Sequence, residues 1–126
     1  MAAKKDVAEQ RQYKRFQAKN GAFALSKASV NTLGQIADIS LGGLAFEYMS
    51  WGETTNGFSE IDILLAERFF YLQGLPCKVI SDHEITLRNP FSSIRMRRLS
   101  VEFMALSPKQ RSELKHFINN HTCGEV

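Results

Sequence analysis

Thiols are scarce in this chain of 126 residues. Cys77 and Cys123 are the only two and show no CxxC spacing, so the sequence offers no disulfide framework. Cys77 lies in the apolar run 75–80 and reads as a buried free thiol, while Cys123 falls in a polar tail without an obvious partner. No run of eighteen apolar residues occurs, so no membrane-spanning helix is expected. The start, Met1 to Asp6, lacks the apolar stretch of a secretory signal, and a cytoplasmic location is the default expectation. A GxSxG elbow and a Walker loop are both absent. His83, His116 and His121 follow no HExxH or paired-ligand spacing and read as surface residues on a loop and a terminal helix. Asp38 and Ser40 have no histidine placed beside them in sequence. No metal centre, cofactor or catalytic constellation is therefore expected, and the chain reads as a non-enzyme.

What is present fits one small globular domain. Apolar residues make up 44% of the chain and include nine Phe, enough for a modest core. The net charge is only +3, but it is unevenly spread. Residues 1–27 hold seven Lys/Arg against two acids, residues 28–94 hold three against eight, and residues 95–126 hold six against three. Arg95, Arg97 and Arg98 stand close together in the last segment. Two basic ends thus flank an acidic middle. That arrangement can grip a compact anion where the ends meet, and is too narrow for a long polyanion.

Short strands dominate the pattern. Alternation predicts strands over 22–26, with Phe23 and Leu25 on one face, over 33–39, and over 43–48, with Leu44 and Phe46 inward and Glu47 outward. Asn56-Gly57 marks 52–57 as a loop, and a further strand follows to residue 65. Segments 68–72 and 77–80 flank an expected turn near Gly74 and Pro76. Asn89-Pro90 breaks the strand-like 85–87, and 99–103 is a clean period-two strand. Ser107-Pro108-Lys109-Gln110 is a helix start, with Ser as N-cap, Pro at N1 and Gln closing a capping box. Leu114, Phe117 and Ile118 form the helix's apolar face, and Gly124 lies past its end. No internal repeat or low-complexity tract is present. Residues 1–10 are expected to be a mobile arm, 11–120 a single domain and 121–126 a tail. Antiparallel strands followed by one amphipathic helix imply a mainly β fold, a small barrel with the helix packed over it.

Two short elements carry the chemistry. Arg11-Gln12-Tyr13-Lys14-Arg15 reads RxxxR, and Asp38-Ile39-Ser40-Leu41-Gly42-Gly43 reads DxSxxG. Guanine offers O6 and N7 acceptors, which a guanidinium fork meets bidentately. It also offers N1–H and N2–H donors, which a carboxylate such as Asp38 accepts as a pair. Arg11 and Arg15 share a face on a helical turn, and from an extended arm both can wrap one ligand. Ser40 can donate to a phosphate or cap the turn, while Gly42 and Gly43 permit sharp bending and close approach. Taken singly, each half has a plainer reading: solvated charges on an arm, an Asx or Ser turn between strands, a bulge at the glycines. Both halves, in this order and ahead of a small barrel, suit a doubly charged guanine nucleotide better than a catalytic reaction.

These residues resemble the PilZ domain, a bacterial receptor module for cyclic di-GMP. The likeness rests on RxxxR at Arg11 and Arg15 and on DxSxxG at Asp38, Ser40 and Gly43. It extends to Arg98-Leu99-Ser100-Val101-Glu102-Phe103 followed by Leu106-Ser107-Pro108 and a helix, similar to the family's last strand and C-terminal helix. About residues 11–120 are covered. The resemblance implies a six-stranded antiparallel, split β-barrel with a C-terminal α-helix, binding cyclic di-GMP at its rim. Arg11 and Arg15 would contact guanine and phosphate from an arm that folds onto the barrel with the ligand. Asp38, Ser40 and Gly43 would surround a guanine, with Gly42 and Arg98 as further candidate contacts. Gln10 stands where some members carry an extra Arg and bind an intercalated ligand dimer, so one or two ligand molecules remain open. An unidentified protein partner in motility, pilus or exopolysaccharide control would read the ligand-altered surface. Trp51 and Tyr48 read as a cap on the barrel end. Two rival readings are a barrel of this fold that serves only protein interaction, and a small barrel that stacks single-stranded nucleic acid on Phe69, Phe70 and Tyr71.

Overall fold

A computed structural model describes residues 13–26, 32–50, 60–67, 70–85 and 95–126. The expected loop at 52–57, the Asn89-Pro90 break and Trp51 lie outside the described residues. In chain order the elements are β1 (Phe16–Ala18), β2 (Ala22–Ser26), β3 (Thr32–Ile39), β4 (Gly43–Ser50), β5 (Glu60–Leu65), β6 (Phe70–Ile85), β7 (Arg95–Phe103), α1 (Pro108–Asn120) and β8 (Thr122–Glu125). The sheet runs β2-β5-β6-β7-β4-β3, and β3 pairs back onto β2. That pairing closes a six-stranded antiparallel barrel. Outside the ring, β1 pairs with the end of β3, placing Phe16 opposite Ile39 and Gln17 opposite Asp38, and β8 pairs with β1.

Period-two patterning accounts for most of the ring. Ile36, Phe46, Ile61, Ile63, Leu75 and Leu99 are all buried in one core cluster, joined by Leu114 and Phe117 of α1. Each such side chain contributes about 1.5–3 kcal/mol on burial. An exposed ion pair such as Lys78–Glu102 contributes about 0–1 kcal/mol, so the apolar interior decides the fold. On β2 the inward face is Ala22, Ala24 and Ser26, with Phe23 and Leu25 on the other side. Large residues from the neighbouring strands already fill the interior, leaving room only for small ones there.

The helix begins as its sequence requires. Ser107 Oγ accepts the Gln110 N–H at 3.1 Å, and Gln110 Oε1 accepts the Ser107 N–H at 3.0 Å, with Pro108 at the first helical position. Gln110 Nε2 also donates to the Gly74 carbonyl at 3.0 Å, tying the helix start to β6.

Residues 74–76 hold no turn. One strand runs through them from Phe70 to Ile85. Ile61 pairs with Leu75 and Ile63 with Leu72, so two β6 residues face the single Asp62 in a bulge. Gly74 takes φ 69° there, the left-handed value that glycine accepts readily. Asp62 is fully buried beneath the bulge, accepting the Gly74 N–H at 2.8 Å and the Tyr71 hydroxyl. The turn-like residues thus mark an irregular strand. Tyr48, read as a cap on the barrel end, is part of the core cluster. It is buried, its ring lies 5.9 Å from Phe46, and its hydroxyl donates to Asp82 at 2.9 Å.

Residues 121–126, read as a tail, contribute β8, whose end is held by the Val126 N–H donating to the Arg15 carbonyl at 2.8 Å. Both cysteines are free, Cys77 buried and Cys123 exposed. Burial first, and then Glu60, pushes the Cys77 thiol from 9.0 up to about 11. A thiol reagent at pH 8 is expected to modify Cys123 promptly and Cys77 only after denaturation, as read by mass spectrometry. Because the folded state keeps the Cys77 proton while the unfolded chain releases it, this residue's contribution to stability is complete below pH 9. It is lost as pH rises towards about 11. Asp62→Ala removes the acceptor of the Gly74 N–H and of the Tyr71 hydroxyl and should cost about 1–3 kcal/mol in urea denaturation.

Candidate functional site

The second motif occupies the end of β3 and the turn into β4. A bulge at Ala37, between the pairs Ile36–Phe46 and Asp38–Ala45, shifts the register just before Asp38. Asp38 is only 8% exposed. Its Oδ2 accepts from Arg98 Nη2 at 2.8 Å, and Arg98 Nη1 reaches Glu47 Oε2 at 3.4 Å. Arg98 and Glu47 face each other in the β4–β7 register, so the guanidinium fixes the orientation of two carboxylates.

Ser40 serves the turn. Its N–H donates to the Gly43 carbonyl at 2.8 Å, and its Oγ accepts the Gly42 N–H at 3.0 Å. Gly43 is dictated by β7, because a Cβ there would stand 2.1 Å from the Val101 carbonyl oxygen. At Gly42 a Cβ would stand 2.9 Å from the Tyr13 ring. Tyr13, from the middle of RxxxR, therefore lies directly on the DxSxxG turn. Arg111 of α1 completes the contact: its Nη2 donates to the Tyr13 hydroxyl at 3.2 Å, and its Cζ sits 5.7 Å from the ring centre.

An open cleft of about 590 Å³ brings these groups together, lined by Tyr13, Arg15, Asp38, Ser40, Gly42, Gly43 and Arg111 with an apolar margin at Leu41, Ile80 and Met104. That volume lies in the usual range for ligand sites. A second cleft of about 370 Å³ opens on the far side of Asp38, lined by Gln35, Glu47 and Arg98 among others. Asp38 is the residue the two clefts share, and Arg98 faces only the second.

The charges in the first cleft are distinctive. Arg95 pairs with Glu84, Arg97 with Asp82, Arg98 with Asp38 and Glu47, and Lys78 with Glu102. Arg15 and Arg111 have no carboxylate partner among the described residues. Two uncompensated guanidiniums in one cleft favour an anion. Of the sequence candidates, Arg15, Asp38, Ser40, Gly42 and Gly43 share this cleft, whereas Gln10 and Arg11 lie outside the described residues. Tyr13 and Arg111 were not singled out from sequence. Arg111 lies three residues before the buried Leu114, which places it at the edge of the inward helix face.

Of the aromatic residues of the nucleic-acid reading, Phe70 is packed against the helix and Tyr71 is tied through its hydroxyl while remaining half exposed. Phe70 packs 5.5 Å from Phe117 and 6.0 Å from His121, and Tyr71 is bound to Asp62. Phe69 lies outside the described residues. His83 is on β6 rather than in a loop, and the His116 and His121 rings approach to 6.0 Å where the helix ends. Among the described residues, no group of three or more His, Cys, Asp or Glu is arranged to hold a metal ion. Nor is any described helix long and apolar enough to cross a membrane.

The PilZ domain family model matches residues 9–120. This chain belongs to the PilZ domain family. No curated protein matches it. Among solved structures, it is similar to the PilZ domain with c-di-GMP of YcgR from Escherichia coli, at 21% identity and a TM-score of 0.67 over 89% of this chain and 91% of that one. YcgR in complex with c-di-GMP from Escherichia coli matches at 23% identity and 0.66, over 87% of this chain and 45% of that one. The MrkH–c-di-GMP complex of K. pneumonia matches at 18% identity and 0.66, over 87% and 51%. This PilZ domain thus spans about half of those two longer chains, and the likeness concerns the fold.

The Asp38–Arg98 pair gives this PilZ domain a measurable signature. Arg98→Ala leaves the nearly buried Asp38 carboxylate without its partner and should cost about 1–3 kcal/mol. The Asp38→Ala/Arg98→Ala double variant should lose less than the two single losses combined, by about 0.5–3 kcal/mol in a thermodynamic cycle from urea unfolding.

Proposed function

We propose that this PilZ domain is a receptor for cyclic di-GMP, not an enzyme, and that it passes binding on to a protein partner. The observation that carries the reading is the cleft in which Arg15, without a carboxylate partner among the described residues, shares a lining with the Asp38–Ser40–Gly43 turn. The ligand is a guanine dinucleotide with two phosphodiester charges. A guanidinium suits its phosphate or the O6/N7 edge of its base, and the carboxylate of Asp38 suits N1–H and N2–H. Arg98 holds that carboxylate in one orientation, so little of the binding energy goes into ordering it. Ser40 and Gly43 act by shaping the turn that presents Asp38. The solved YcgR and MrkH structures that contain c-di-GMP, with the same fold, support the choice of nucleotide.

The remaining parts of the reading follow from the motifs. Arg11 joins Arg15 on the ligand, and Gln10 bears on whether one or two molecules bind. A cytoplasmic location and an output in motility, pilus or exopolysaccharide control belong to the same proposal. In this proposal a ligand-altered surface, read by the partner, is the means of signalling. MrkH is described as a c-di-GMP dependent transcription regulatory factor, yet this chain spans only about half of it. Nucleic-acid stacking is disfavoured here because Phe70 packs against Phe117 of α1.

Calorimetric titration with cyclic di-GMP tests the proposal and gives the stoichiometry. Arg15→Ala and Asp38→Ala should each weaken binding about tenfold or more, the worth of one good bidentate contact. The adenine analogue, whose edge offers a different donor pattern, should not bind. Parent-like binding by both variants would remove the site assignment.

A further inference from the structure

We infer that Arg111 on α1 is a further ligand-binding guanidinium of the cleft, held in place by Tyr13 and directed at a phosphodiester, so that the C-terminal helix takes part in gripping the nucleotide. This inference rests on the cyclic di-GMP reading and adds to it a contact from outside both motifs.

Three observations converge on Arg111. It lines the same cleft as Arg15 and Asp38 although it lies about a hundred residues from the first motif. It is exposed and has no carboxylate partner among the described residues, unlike Arg95, Arg97 and Arg98. It is also held in place. The Tyr13 ring lies 5.7 Å beneath its Cζ, and the Tyr13 hydroxyl accepts from Nη2 at 3.2 Å. Tyr13 in turn rests on Gly42, where no side chain fits between them.

Physical chemistry gives this arrangement its meaning. A free arginine loses rotamer freedom when it binds, and a guanidinium already hydrogen-bonded and lying within cation–π distance of a ring has given up part of it beforehand. Only one guanidinium nitrogen is engaged by Tyr13, which leaves further N–H donors for an anion. A cyclic dinucleotide carries two phosphodiester charges, and the described part of the cleft supplies two uncompensated guanidiniums, Arg15 and Arg111. Those residues come from the two basic ends of the chain. The helix is also joined to the arm through β8, whose end is hydrogen-bonded to the Arg15 carbonyl. A ligand held by both arginines therefore closes a loop through β1, β8 and α1.

Calorimetry on the full chain with cyclic di-GMP, at two salt concentrations, tests the inference. Arg111→Ala should weaken binding about tenfold, and Arg111→Lys, which keeps the charge but not the fork, should fall between. The salt dependence of the affinity should become shallower in Arg111→Ala, because one phosphate contact is gone. Its thermal midpoint should stay at that of the parent, which separates lost binding from lost folding. Tyr13→Leu should weaken binding in the parent and add little in the Arg111→Ala background. If Arg111→Ala binds like the parent while Arg15→Ala and Asp38→Ala are weakened, the role of Arg111 is overturned and the receptor reading stands. If the parent itself does not bind cyclic di-GMP, both fall together.

Discussion

One edge of β3 has to serve two partners, and the rest of the molecule follows from how it is divided. Its first residues pair with β2 and so close the ring, while its last two pair with β1. Without the first pairing there is no closed barrel. Without the second the RxxxR segment has no fixed place. The register that sets Gln17 opposite Asp38 brings the two motifs side by side, although some twenty residues separate them in sequence. A shared strand edge thus does the work that a dedicated linker does in other proteins.

The energetic hierarchy explains why the site can carry strainless but costly polar groups. The apolar interior from Ile36 to Phe117 supplies the dominant stabilisation. Against that background, Asp38 and Asp62 are both removed from most of the solvent, and each is satisfied in a different way. Asp62 accepts the Gly74 N–H and the Tyr71 hydroxyl and locks a bulge, a structural duty. Asp38 is matched to a cation and lies where two clefts meet, a placement that leaves it open to a ligand. The same residue type thus stands beneath a strand bulge in one position and at the junction of two clefts in the other.

Much of this was legible in the sequence because it is local. Period-two alternation marked β3, β4 and β7, and Ser107-Pro108-Lys109-Gln110 marked the helix start to the residue. Both motifs were readable as spacing. The rest depends on non-local pairing. Phe16–Ala18 becomes a strand by pairing with both β3 and β8, and Thr122–Glu125 by pairing with β1; neither has a pattern of its own. Gly74 and Pro76 carry turn chemistry, but a buried carboxylate across the strand pair converts it into a bulge. The inward face of β2 was hidden for a related reason, since small residues line a barrel wherever larger neighbours have already filled it. Tyr13 and Arg111 escape a linear reading because their partnership spans nearly the entire chain.

Closure of the ring also bears on how the molecule behaves in a crowded solution. A sheet that ends must expose a row of unpaired amides, which invites another chain to add on. Among the described residues the series of strands terminates at β8, only four residues long, with Gly124 at φ 155° and Glu125 carrying a charge at its tip. So short and irregular a border gives a neighbouring molecule almost no template to copy. The segment that anchors the arginine motif is, by the same geometry, what keeps the sheet from growing.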